Sequence, residues 1–332
     1  MKKITALILA LSFVVLCTSC KKEVETVNPV VDDLPKQTAS DFYVRMTESK
    51  SRPVAVMIDN DSEAARPQTG LEDAFAVYEI KVEGIASRMM ALFLDADTKK
   101  VGPVRSSRHY FLDYALEHDA IYAHCGYSPQ AANDITALGV DNLNEFNSNN
   151  GATFFRDRSK YAPHNLYASV PELLSYASGR GYESETGKDR VFEYNENDEE
   201  IDGNEVTEIS LPYHSSYVVS YKYNAEEKVY ERFVNGQPHI SESNEKVLTA
   251  KNILAYNVVN YSIDTVGRQN LENLGSGTGY YLSNGKVLPI TWSKSSRSGK
   301  TEYKTEDGEN LILNPGNVYV HIVPASEKIT IK

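Results

Sequence analysis

Between residues 105 and 165 the chain gathers Arg105, Arg108, Arg156, Arg158, His124, His164 and Asn165. Guanidinium, imidazole and amide groups together are suited to gripping an anion, because each presents N–H donors and the arginines add charge. A helix read over 107–118 sharpens this. At ~100° per residue, Arg108 falls within the arc of Phe111, Leu112, Ala115 and Leu116. It therefore turns inward, in the first turn, where the helix macrodipole disfavours a cation. Its compensation is either a carboxylate of the chain, with Asp59, Glu79 and Glu83 as candidates, or a bound anion. Such an anion would share Arg105, Ser106 and the free N–H groups of the helix start. His124 ends an apolar strand over 121–125, just before a helix that starts at Ser128. Open α/β sheets take ligands at such strand ends. Asp59-Asn60 closes another apolar run, and Arg156 and Pro163-His164-Asn165 stand in a loop-rich stretch. Each of these residues also has a plain structural reading: an internal ion pair, a hydrogen-bonded core histidine, or solvated loop charge.

Catalytic patterns are mostly excluded. No Gly-x-Ser-x-Gly elbow occurs, and Ser106 has no evident base. His124 and His164 lack the i, i+4 spacing of a helical zinc site, so no metal and no cofactor is expected. A pair of acids drawn from Asp59, Glu79 and Glu83 could serve a glycosidase, but spacing along the chain does not decide it. Cys125 and His124 are adjacent in a strand and point to opposite faces, so the thiol reads as a small packed hydrophobe. Whether the chain is an enzyme stays open.

The elements that must position these residues fall in two parts. Over 51–185, strands are expected at 54–58, 76–82, 88–94 and 121–125, and helices at 107–118, from Ser128 to Gly139, and after Ser169. From 186 to 332 helix signals vanish. Asp202-Gly203, Asn235-Gly236, Asn284-Gly285 and Asp307-Gly308 punctuate alternating apolar runs, the mark of hairpins. The expected fold class is α+β, a mixed α/β domain followed by a β-rich antiparallel domain.

The first twenty residues fix the compartment. Lys2 and Lys3 precede an apolar run from Ala6 to Leu16 and then Thr18-Ser19-Cys20. That layout is a secretory signal over 1–19 ending in a lipobox, with Cys20 the lipidated residue, although Cys17 stands where such boxes usually carry Leu. The run is too short to span ~30 Å of hydrocarbon. Residues 20–50 read as the lipidated cysteine and a flexible tether. The protein is thus expected outside the cytoplasm, held to the bacterial membrane by its acyl chains. Removing residues 1–19 deletes two lysines and no acid, taking the net charge from −12 to −14. An acidic surface argues against nucleic acid as a partner. With Cys17 removed and Cys20 lipidated, Cys125 has no partner for a disulfide.

Motifs in order along the chain carry a resemblance. Arg52-Pro53-Val54-Ala55-Val56-Met57-Ile58-Asp59-Asn60, Ala65-Arg66-Pro67-Gln68-Thr69-Gly70-Leu71 and Val77-Tyr78-Glu79 with Val82-Glu83-Gly84 are followed by Val101-Gly102-Pro103-Val104-Arg105-Ser106-Ser107-Arg108. His124 through Pro129, Ala162-Pro163-His164-Asn165-Leu166-Tyr167, Pro289-Ile290-Thr291-Trp292 and Leu313-Asn314-Pro315-Gly316 continue it. In these segments the chain resembles the YerB-like lipoprotein family. It departs at Gly84-Ile85-Ala86-Ser87-Arg88, where the family pattern has Gly-Gly before Thr-Arg. The resemblance implies a bacterial envelope lipoprotein with a mixed part and a β-rich part, and brings no catalytic residues. Three functions are carried forward. The first is capture of a small anionic or glycan ligand. The second is hydrolysis of a wall glycan or phosphodiester by a carboxylate base. The third is an assembly role through an exposed edge strand.

Overall fold

The structure is a computed structural model that describes residues 38–148 and 151–332. The signal, Cys20 and the first part of the expected tether lie outside the described residues. The mixed region runs α1 (Ala39–Glu48), β1 (Val54–Ile58), β2 (Ala76–Lys81), β3 (Ser87–Phe93), α2 (His109–Glu117), β4 (Ile121–His124), α3 (Pro129–Ala137), β5 (Asn142–Asn144) and α4 (Val170–Gly179). The strand-rich region adds β6 (Glu208–His214), β7 (Tyr217–Asn224), β8 (Val229–Val234), β9 (Asn252–Val258), β10 (Gly275–Ser283), β11 (Lys286–Lys294), β12 (Glu302–Thr305) and β13 (Val318–Pro324). Beyond Gly179 no helix occurs among the described residues, as the hairpin punctuation implies.

One sheet crosses both regions, in the order β12-β11-β10-β9-β13-β2-β3-β1-β4-β5. The join is β13, the last long strand, which lies parallel to β2 on one side and to β9 on the other. These parallel pairs depart from the antiparallel reading of the second part. They arise because a distant strand is inserted and no hairpin turn sets its direction. A second sheet built on β6, β7 and β8 covers one face together with α4, while α1, α2 and α3 cover the other. Covered on both faces, β2 is buried from Ala76 to Ile80, where alternation alone suggested one wet face.

Two local expectations are revised. Residues 38–48 are not part of a flexible tether, because Thr38 and Asp41 form a capping box and Ala39–Glu48 coil into a helix. That helix buries Phe42 and Met46, with Phe42 edge-on to Tyr194 at 5.2 Å. The second helix starts at His109, not 107. Arg108 is its N-cap in extended conformation, so the helical arc that turned Arg108 inward does not exist. Other signals behave as read: Ser128 caps α3 through the Ala131 N–H, and Pro171 sits in the first turn of α4. Asn284-Gly285 closes the β10–β11 hairpin with both residues at positive φ, and a Cβ on Gly285 would stand 2.6 Å from Tyr223.

Candidate functional site

β1 is enclosed along its length and delivers Asp59 just past its last residue. The segment after Gly102 crosses the end of the strand, pinned by the Arg105 N–H to Met57 O at 2.9 Å and by the Cys125 N–H to Arg105 O at 3.0 Å. Arg105 is therefore held between the ends of β1 and β4. The loop before Tyr167 folds back over both, turned by Asn165, whose amide donates to the carbonyls of Asp157 and Lys160. These three pieces, with Arg88 from the start of β3, bring Asp59, Asp61, Arg88, Arg105 and His164 together.

Asp59 is fully buried, and its Oδ2 lies 2.7 Å from His164 Nδ1 and 3.3 Å from Arg105 Nε. Its Oδ1 accepts the Asp61 backbone N–H at 3.1 Å. Asp61 accepts two hydrogen bonds from Arg88 Nη2, at 3.0 and 2.8 Å, and one from Arg105 Nε at 3.2 Å. Burial pushes the Asp61 carboxyl up, but Arg88 and Arg105 outweigh it and hold it below its ordinary value. A carboxylate flanked by Arg105 can only accept, so His164 Nδ1 carries the proton and donates. In the neutral ring Nε2 then presents a lone pair. Among the described residues Nε2 has no hydrogen-bond partner, and neither has either terminal nitrogen of Arg105. Both side chains reach solvent, at 19% and 25% exposure. Arg156 extends the face: its Nη1 donates to Asn165 Oδ1 at 3.0 Å and its Nη2 lies 3.7 Å from Glu145.

Beside this open face lies a closed one. Glu79 of β2 meets Arg232 of β8 at 2.7 Å, and both are fully buried. Arg232 also donates to His239 Nδ1 and to Tyr221, and Gln68 joins His239 to Asn60 and the Asp59 carbonyl. Asn60 donates to Glu79, Ser87 and Tyr217. The network joins the two sequence regions.

The sequence candidates divide accordingly. Asp59, Arg105, His164, Arg156 and Asn165 do converge on one face. Arg108 does not join them: Glu83 clasps it through two hydrogen bonds, at 2.6 and 2.9 Å, which is the internal-pair reading. Glu83 is thereby committed as well. His124 is buried with both ring nitrogens occupied, by the Gly126 carbonyl and Asn142, and burial holds its pKa below the ordinary value. It serves the fold. Glu79 and Asn60 sit inside the closed network, so Glu79 cannot reach a substrate as a base. Ser106 contributes its carbonyl to Arg88 at 2.6 Å. Burial first, then Glu145, push the Cys125 thiol up to about 11 against Arg156 and Arg105, which excludes a thiolate nucleophile at neutral pH. Among the described residues no cluster of three or more His, Cys, Asp or Glu could hold a metal. Sequence reasoning missed Asp61 and Arg88. An arginine opening a strand that is apolar on both faces was the available signal, since buried Arg needs a carboxylate.

The comparisons with known proteins agree on one family. Residues 43–183 match the "Protein of unknown function (DUF3048) N-terminal domain" and residues 209–320 the corresponding C-terminal domain. The chain is 29% identical over 322 residues to "Putative lipoprotein YerB" of Bacillus subtilis (strain 168), covering 95% of this chain and 94% of that protein. The crystal structure of YerB protein from Bacillus subtilis superposes with a TM-score of 0.76 at 27% identity, over 85% of this chain and 94% of that one. With both domain matches in order and the relative aligned almost end to end, the chain belongs to the YerB-like family.

Proposed function

We propose that the protein is an envelope lipoprotein, anchored through Cys20 outside the cytoplasm, which binds a small anionic ligand on the face of Arg105 and Arg156, next to His164. The anchor rests on the signal layout of residues 1–20 and on the naming of the Bacillus subtilis relative as a lipoprotein. The binding reading rests on one observation: the Arg105 side chain is held by its Nε alone, and among the described residues neither of its terminal nitrogens has a partner. A guanidinium fixed at its neck, with its fork toward solvent, is pre-organised for an oxyanion.

The test is a thermal-shift series with inorganic phosphate, sugar phosphates and muropeptides on wild type, Arg105→Ala, Arg156→Ala and Arg108→Ala. Stabilisation of the wild type should grow with ligand as RT ln(1 + [L]/Kd). It should be lost in the Arg105 and Arg156 variants and kept in Arg108→Ala, whose pair with Glu83 is structural. Equal shifts in all four proteins would contradict the assignment. Palmitate labelling that persists in Cys20→Ser would contradict the anchor.

A further inference from the structure

The Asp59–His164 pair has no role in simple anion capture. A ligand site built only for charge would turn N–H donors outward, whereas here the imidazole Nδ1 faces a fully buried carboxylate, and in the neutral ring that leaves a lone pair on the outward Nε2. Asp59 is itself fixed by the Asp61 N–H and by Arg105, so the ring orientation is set from behind. This is the arrangement of a general base: a nitrogen able to take a proton, its tautomer and orientation fixed by a third group. Arg105 Nε lies 3.3 Å from the same carboxylate oxygen that orients the ring, with its open fork beyond.

We infer that His164 is a general base, Asp59 its positioning residue, and that the site hydrolyses a phosphodiester. The assignment rests on the anion-binding reading above and names its substrate class. Charge selects the diester. Arg88, Arg105 and Arg156 stand against Asp59, Asp61 and Glu145, three charges of each sign, so the face carries no net charge and suits a single negative charge better than the double charge of a monoester. In the reaction His164 Nε2 takes a proton from water as its oxygen forms a bond to phosphorus. The P–O bond to one alcohol breaks on the opposite, solvent side, where the departing oxygen takes a proton from bulk water. The imidazolium then releases its proton to solvent. Arg105 and Arg156 hold the non-bridging oxygens as charge gathers on them. One water is consumed, and a phosphomonoester and an alcohol result.

The experiment follows turnover of bis(4-nitrophenyl) phosphate alongside binding of inorganic phosphate. Wild type should turn over and bind. His164→Asn should lose about a hundredfold or more in kcat while phosphate binding stays. Asp59→Asn should lower kcat more than it raises KM. Phosphate binding without turnover above buffer, or undiminished turnover in His164→Asn, overturns the catalytic assignment and leaves the binding reading standing. Absence of both phosphate binding and turnover in wild type overturns the two together.

Discussion

Arg105 and Arg108 lie three residues apart and have opposite fates. One conformational detail decides it: Arg108 caps α2 in extended conformation and swings to Glu83, whereas Arg105 is pinned by its backbone to β1 and keeps its fork open. Sequence identified both as candidates because residue type is legible, while the partner a guanidinium finds depends on strands far away in the chain. The same holds for Glu79, which carries the right chemistry for a base and is locked to Arg232 across 153 residues. Removing one partner of a fully buried pair strands the other charge. Arg232→Ala is accordingly expected to cost roughly 3–5 kcal/mol, measured by urea denaturation. Replacing Glu83 with Gln, which removes charge from a partly exposed pair, should cost only about 1 kcal/mol. A Glu83 variant that abolished phosphate binding would show that the wrong arginine has been assigned.

At the scale of elements, the periodic and punctuated segments were readable: β1, β3, β4, α3, α4 and the Asn284-Gly285 hairpin all stand where apolar period, caps and turn dipeptides put them. What failed was context. Residues 39–48 bury only Phe42 and Met46, and these reveal a helix face only once Tyr194 supplies a surface to pack against. α1 therefore belongs to the folded body. Phe42→Ala should destabilise it by about 3 kcal/mol and Thr38→Ala by about 1 kcal/mol, read as lowered denaturation midpoints. A neutral Phe42→Ala would return residues 39–48 to the tether. The parallel insertion of β13 between β2 and β9 was invisible because nothing local in a strand states which neighbour it joins.

At the scale of the whole molecule, the two sequence regions share one sheet and one buried polar network, so the site is held by a single body. Buried histidines give that body a pH dependence. Burial, with Lys294 nearby, lowers His118 from 6.5 to about 3, and burial likewise holds His124, His239 and His321 below the ordinary value. The unfolded chain takes these protons as pH drops below about 6.5 and the folded protein does not. Stability is therefore fully present above that pH and lost progressively toward pH 3. Melting temperatures should fall steadily from pH 7 to pH 4, and a flat profile would contradict the neutral, buried assignment. The central claim concerns the open fork of Arg105. Isothermal titration of inorganic phosphate into wild type and Arg105→Ala tests it most directly. Saturable binding in wild type, weakened roughly tenfold to a hundredfold in the variant, is the expected result for loss of charge-assisted hydrogen bonds. Equal affinity in the two proteins, or no binding to wild type, would contradict it.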